Sequence, residues 1–363
     1  MTAILQKHSG ATIHTFTVGF NEPQVNESQY ACQVARYLGT HHTERILETD
    51  EAMRILPLWG QLYDEPFADE SGIPTYLVSK MASGQVKVVL SADGGDELFC
   101  GYNHYSGMLE RLRKRAQLPV FVRHGLAGLL KRLPVNELDS AAAFLPLPHR
   151  LQRAIRRGVT RRACQVRDNL VAASNGEFYE TASSHWRAGE VAELIGLSER
   201  VRETTDFYPG SFVEQMCLWD IHNYLPGDIL TKVDRATMAV SIEGREPLLD
   251  HRIVEMALRL PVGLRRGSLG TKHLLRQVLY RYVPREMVER PKMGFTIPML
   301  EWLRGGLAHL LDEHLNPSDI ARQGILDPGI VQRTVAAFRR GDDYLVNKVW
   351  ILLAFQLWRS EGV

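Results

Sequence analysis

Apolar positions in the first hundred residues switch between two periods. His14–Phe20 alternates and is rich in Thr, Val and Phe, which predicts a strand, and His41–Leu47 reads as a second one. Val86–Leu90 is a short β-branched and apolar run bounded by polar residues, which predicts a buried strand. Ala31, Val34, Ala35 and Leu38 fall on one helical face behind Asn26-Glu27-Ser28-Gln29, which has capping-box spacing. Thr2–Ser9 reads as the tail of a helix closed by Gly10, and Asp50–Tyr63 and Pro74–Ser83 read as further helices. Strand–helix–strand–helix–strand implies parallel pairing through crossovers, hence an α/β, Rossmann-like layer. Ligands of such sheets bind beyond the carboxyl ends of the strands. Phe20 and the Ser91–Glu97 loop both end strands on that edge.

Residues 106–205 change character. Arg111–Arg115 and Arg156–Arg167 are basic clusters with helical apolar spacing between them, and Pro119, Pro134, Pro146 and Pro148 mark breaks. Such runs predict solvated helix faces. An RNA-binding patch is the alternative, but clustered aromatics are missing and opposing charges cancel the net field. From Ser211 the pattern is helical to the end. Phe212, Met216, Trp219 and Tyr224 form a stripe, Pro226-Gly227 breaks it, and Asp228–Ala239 starts a new helix. Lys272–Val283 is amphipathic and stops at Pro284, and the turn residues Arg290–Phe295 place Lys292 near a glycine. The chain thus divides into an α/β part (1–110), a basic helical insertion (111–205) and a helical C-terminal portion (206–363).

Composition narrows the classes. With 45% hydrophobic residues, 23% charged residues and a net charge of +1, nothing global points to nucleic acid or membrane. The four cysteines are scattered without metal-like spacing, Met1–Gly10 lacks an apolar leader core, and Val346–Leu357 is too short to span a bilayer. A cytoplasmic protein is expected. The chemistry concentrates in Ser91-Ala92-Asp93-Gly94-Gly95-Asp96-Glu97. Paired glycines after a strand let backbone N–H groups approach a ligand, while the carboxylates would repel a bare phosphate unless a divalent cation lay between. The loop therefore reads as a Mg²⁺-phosphate site with Asp93 and Asp96 as metal ligands, or else as a solvated acidic turn.

SADGGDELFCGY at 91–102 resembles the signature of the synthetase domain of glutamine-hydrolysing asparagine synthetases, in the ATP-pyrophosphatase (PP-loop) group. FTVGF at 16–20, DEPFADESGIPTYLVSK at 64–80, LTKVDRATMAVSIEGREPLLDH at 230–251 and RPKMGFTIPMLEWLRG at 290–305 match in family order. The resemblance implies an adenine-nucleotide α-hydrolase fold with a large helical C-terminal portion. It also implies ATP and Mg²⁺ as cofactors and amidation of a carboxylate, aspartate to asparagine, through an acyl-adenylate. Lys292, Asp93 and Asp96 would be catalytic, with Lys292 stabilising the departing pyrophosphate. Val18, Ser91, Ala92, Gly94 and Gly95 would line the nucleotide. Asp64, Glu65, Asp69, Ser71, Lys232, Asp234, Arg235 and Arg245 would face the acceptor. A capped helix start would equally explain Asp64–Ser71, and an internal ion pair would explain Lys232–Arg235.

Ala92 and Cys100 stand where the family usually has Gly, and Gly244 and Glu246 depart from its pattern around Arg245. Those departures leave room for another acceptor acid, such as a sugar uronate. The family's Ser-Gly-Gly-x-Asp-Ser pyrophosphate loop is not in this sequence, and position 2 is Thr rather than the glutaminase cysteine. The expectation is the C-terminal part of a longer synthetase, its α/β part truncated, with weak ATP binding by itself. A glutaminase domain or separate upstream chain is the implied partner, and a homodimer is compatible with the family. A PP-loop tRNA-modifying enzyme and a non-catalytic fragment are the competing readings.

Overall fold

A computed structural model of the chain describes residues 1–21, 26–132, 166–167, 169–197, 210–289 and 297–360. Two compact units emerge, one of Met1–Tyr105, Val213–Met299 and Leu357–Val363, the other of Ser106–Phe212 and Leu300–Gln356. The backbone therefore passes between units four times. The protein is mostly helical with small parallel sheets, an α/β arrangement.

In the first unit, helix α1 (Thr2–His8) ends at Ser9 in extended backbone, one residue before the expected glycine. Strands β1 (His14–Phe20) and β2 (His41–Leu47) occupy the predicted residues and pair in parallel, His14 opposite His41 through Phe20 opposite Leu47. Helix α2 (Ser28–Leu38) crosses between them and stops at Gly39, whose φ of +69° suits a residue without Cβ. Just before α2, Asn26 Oδ1 accepts from the Ser28 N–H at 2.9 Å, and Glu27 at the N-cap makes no side-chain cap.

The single helix expected over Asp50–Tyr63 is instead α3 (Thr49–Ile55), a 3₁₀ turn at Leu56–Leu58 and α4 (Trp59–Leu62). Pro57 has no N–H for the α ladder, which explains the break. Helix α5 (Gly72–Ser83) is buried on several faces, and the Thr75 and Ser79 hydroxyls fold back onto carbonyls one turn earlier.

Strand β3 spans Val88–Leu90, two residues shorter than predicted, and pairs in parallel with β4 (Glu243–Arg245). The pattern after Ser211 read as wholly helical, so β4 corrects it. A three-residue strand centred on Gly244 is too short to show alternation. Among the described residues β1–β2 and β3–β4 form two separate two-stranded sheets rather than the one layer expected. Gln85, ahead of β3, reaches both strands of the other sheet, its side chain 3.1 Å from His14 Nδ1 and 3.4 Å from Thr43 Oγ1.

After β3 comes the short helix α6 (Gly95–Leu98). Helix α7 (Phe212–Trp219) then runs into a π-helical stretch, Asp220–Leu230, and on into α8 (Thr231–Met238) with helical backbone at both joints. The break expected at Pro226-Gly227 does not occur. The wider π turn absorbs the proline, and the Thr231 hydroxyl donates to the Pro226 carbonyl at 2.8 Å. Helix α9 (His251–Arg259) is capped by Asp250. Helix α10 is His273–Leu279, shorter than predicted, behind Lys272 in left-handed backbone with φ +54°. Leu98, Phe99 and Ala257 form a buried cluster with Ile221, Leu249 and Leu275, which ties α6 to the π stretch, α9 and α10.

The second unit is helical among its described residues, including Val120–Arg132, Asn175–Ser183, Ala188–Leu194, Pro328–Arg339 and most of Val346–Ser360. Phe178, Tyr179, Phe338, Trp350 and Leu353 build its core. Lys348 sits over the Trp186 ring and reaches Glu190 at 2.5 Å. Arg111, Arg113 and Lys114 are solvated, and Arg115 turns to the Ala172 carbonyl and the Phe178 ring. Most of Arg156–Arg167 lies outside the described residues. Among the described residues no helix is long and apolar enough to cross a membrane.

Candidate active site

The acidic loop leaves β3 at Ser91, whose N–H donates to the Arg245 carbonyl of β4 at 3.0 Å. The Ser91 hydroxyl donates to Asp93 Oδ2 at 2.6 Å, closing a tight turn. Ala92 is exposed, Asp93 half-buried and Gly94 left-handed at φ +82°. A Cβ on Gly94 would run into the Leu249 side chain, and one on Gly95 would come within 3.0 Å of Leu248. The glycines thus answer to close packing as well as to backbone conformation. Asp96 pairs with Lys272 Nζ at 2.9 Å. A Cβ on Gly101 would strike Asp96, so the chain doubles back tightly beneath this carboxylate. Glu97 is buried, accepts from the Tyr102 hydroxyl, and is pushed upward in pKa by burial.

A second constellation lies on the segment leading into α5. Trp59, Tyr63 and Phe67 pack together, with Tyr63 and Phe67 stacked at 4.3 Å. Trp59 Nε1 donates to the Phe67 carbonyl at 2.8 Å. This aromatic wall fixes Asp69, whose Oδ1 accepts from the Ser71 N–H at 2.9 Å and whose Oδ2 accepts from the Ser71 hydroxyl at 2.8 Å. Lys232 of α8 comes to the same point, 2.6 Å from Asp69 Oδ2 and 2.8 Å from Ser71 Oγ. Lysine, aspartate and serine close a three-way ring. Burial works to raise the Asp69 carboxyl, but Lys232 and the surrounding donors outweigh it and hold the pKa low.

Helix packing connects the two constellations: α5 lies against β1 and α8, and α8 lies against β4, the partner of β3. Of the remaining expected residues, Val18 is buried near the carboxyl end of β1. Asp64 is exposed and pairs with Arg235 at 2.7 Å, and Asp234 lies 3.8 Å from the same guanidinium. Glu65 is exposed. Arg245 is exposed and engages Glu243 at 2.7 Å, leaving its backbone to hold the acidic loop. Lys292 lies outside the described residues, as does all of 290–296.

Four residues of the site gave no functional signal in the sequence: Asp228, Tyr224, Lys272 and Glu246. Asp228 and Tyr224 stand one turn and two turns before Lys232, and a polar residue recurs every fourth position from Asp220 to Lys232. That spacing was legible, but the apparent break at Pro226 hid it. Lys272 gives no such signal, because only the fold carries it to Asp96. Glu246 is raised by burial and then by the Asp93 and Asp234 charges, so it belongs beside the acidic loop.

The sequence profile of the asparagine synthase family matches residues 1–360. The chain belongs to the asparagine synthase family. It is 31% identical, over 99% of its length, to a putative glutamine-hydrolysing asparagine synthetase of Mycobacterium bovis, of which it covers 52%. With asparagine synthetase 1 of Bacillus subtilis it shares 29% identity over 97% of its length and 52% of that protein. An amidase, chyE, of Penicillium rubens is similar at 24% over 90% of this chain and 50% of that protein. The chain spans about half the length of these relatives. Membership in the asparagine synthase family sets it apart from the tRNA-modifying reading.

Proposed function

We propose that this asparagine synthase chain carries the ATP-dependent amidation of a carboxylate, aspartate to asparagine, on a PP-loop Rossmann-like scaffold in the cytoplasm. The observation that carries this reading is the acidic Gly-Gly loop at the end of β3, held by β4 and packed against Leu248 and Leu249 so closely that a Cβ on Gly94 would clash and one on Gly95 would be tight. Val18, Ser91, Ala92, Gly94 and Gly95 present the nucleotide with backbone and small surfaces. Asp64, Glu65, Asp69, Ser71, Lys232, Asp234, Arg235 and Arg245 form the acceptor side. An acceptor carboxylate oxygen attacks the α-phosphorus of ATP and pyrophosphate leaves. Ammonia from a glutaminase domain or chain then attacks the acyl carbon, forming the C–N bond as the bond to AMP breaks. Positioning and charge neutralisation supply most of the acceleration in such phosphorus chemistry.

Asp93 and Asp96 offer the hard oxygen donors that suit Mg²⁺, which characteristically takes one or two carboxylates and fills its remaining positions from phosphates and water. When bound, the ion would neutralise charge on the phosphate oxygens. Lys272, on Asp96, and Lys292 are the lysines assigned to this end of the site.

Glu246 favours one second reading, an acceptor other than aspartate, because it adds a carboxyl beside Asp93 and Asp234. Mg²⁺-ATP-dependent pyrophosphate release with ammonium and a panel of acids separates the two. Release above background with aspartate is expected. Release with a uronate and none with aspartate would overturn the aspartate assignment, and none with any acid from a form that also carries the family's pyrophosphate loop would overturn the amidation reading.

A further inference from the structure

The ring of Lys232, Asp69 and Ser71 has a fourth member. Asp228, in the π stretch one turn before Lys232, hydrogen-bonds the Asp69 carboxyl. Two ionised carboxylates offer only acceptors, so this contact requires a proton between them. Asp69 already accepts from the Ser71 amide, the Ser71 hydroxyl and the Lys232 ammonium. Those donors favour its charged form, which leaves the proton on Asp228. Two buried oxygens border the pair without a hydrogen-bond partner among the described residues, Asp228 Oδ1 and the Tyr63 hydroxyl. Tyr63 is 1% exposed, and both acidic charges act on it. The polar interior here exceeds what a structural ion pair needs.

We propose that Asp228 is a positioning residue of the acceptor pocket, its protonated carboxyl donating to Asp69 and so keeping the Asp69 carboxylate on Lys232 and Ser71. This rests on the reading of Asp69, Ser71 and Lys232 as the acceptor side. Burial, then the Asp69 charge and hydrogen bond, push Asp228 up to about 8, while Lys232 pulls the other way. Glu70 adds a further negative charge from the segment before α5, and Tyr63 and Tyr224 face the pair as phenols. Glu97 of α6 and Asp220 act on Tyr224 in turn. When the shared proton leaves, two carboxylates compete for one ammonium, and Lys232 is drawn from Ser71.

The π turn gives this pairing its seat. Asp228 and Lys232 are both borne on the helical rod whose ladder is widened around Pro226, and α8 lies directly against α5. Residues of π turns are frequently functional.

Nuclear magnetic resonance on the full chain labelled with carboxyl-carbon-13 aspartate tests the proposal without any substrate. One carboxyl resonance should titrate near pH 8 and be missing in Asp228→Asn, which keeps an N–H donor but cannot ionise. The Ser71 amide, which reports where Asp69 sits, should shift across the same range in the wild type and stay still in Asp228→Asn. Titration of Asp228 in the ordinary carboxylate range, or a Ser71 amide indifferent to it, would overturn the proposal. Aspartate binding in the presence of Mg²⁺-ATP is measured separately. Affinity should fall about tenfold from pH 7 to pH 9, as the protonated fraction does, and less in Asp228→Asn. No aspartate binding at any pH would count against the acceptor assignment, while the resonances still decide whether the proton is shared.

Discussion

Lys232 is the residue on which the acceptor side turns. Its ammonium is nearly enclosed, with 10% of the side chain exposed against 15% for Asp69. Removing one member of a buried pair strands the other charge, a loss of about 3–5 kcal/mol. Lys232→Met should therefore lower the free energy of urea unfolding by that order. A change under about 1 kcal/mol would mean water already screens the pair. Cys100 shows how much of such detail the sequence could carry. It stands where the family usually has Gly, and the structure supplies the reason for that preference: its φ is +52°, a conformation that strains any residue with a Cβ. The departure was legible, but the backbone that gives it meaning was not. The Cys217 sulfur, 3.5 Å away in a fully buried setting, holds the side chain there. Asp69, Ser71 and Lys232 were each readable as candidates by resemblance, whereas their closure into one ring depends on α5 and α8 meeting in space. Asp228 is hidden in the sequence by Pro226, a residue type that elsewhere ends a helix and here sits inside a π-helical stretch.

At the scale of elements, β1, β2 and β3 were legible, β3 with two residues too many, and β4 was not. β1 and β2 carry seven residues each, and in β1 period and composition agree. β3 and β4 carry three, and β4 is recognisable only through its partner. The helices ran on past their predicted ends where a proline was tolerated and stopped short where one was not, at Pro226 and Pro57 respectively. Packing decided both. Phe99 holds α6 in place from below, 1% exposed within the cluster that reaches α9 and α10. Phe99→Ala should lower stability by about 3–5 kcal/mol. Because the Phe99 ring packs in the cluster behind α6, which carries Asp96, and its carbonyl accepts from the Lys272 N–H at 3.1 Å, a shift of this segment in the same variant should also weaken ATP-dependent pyrophosphate release. Wild-type stability in a chemical denaturation series would refute the packing role assigned to this ring.

The molecule as a whole has two cores, one containing Trp59 and the other Trp350, both shielded from solvent. Proteins built from separate compact units commonly depart from two-state unfolding. Calorimetry should resolve more than one transition, and Trp350→Ala should lower the transition of its own unit more than the other. A single transition that moves intact would show that the units melt together. The pairing of β3 with β4 carries a consequence for synthesis on the ribosome. Leu90 faces Arg245 across most of the chain's first two-thirds. At about 5–20 residues per second, β3 has left the ribosome many seconds before its partner strand exists. Through that interval the nascent chain carries an open strand edge and an unfinished acidic loop, so a chaperone that shields strand edges early in translation should raise the yield of folded protein.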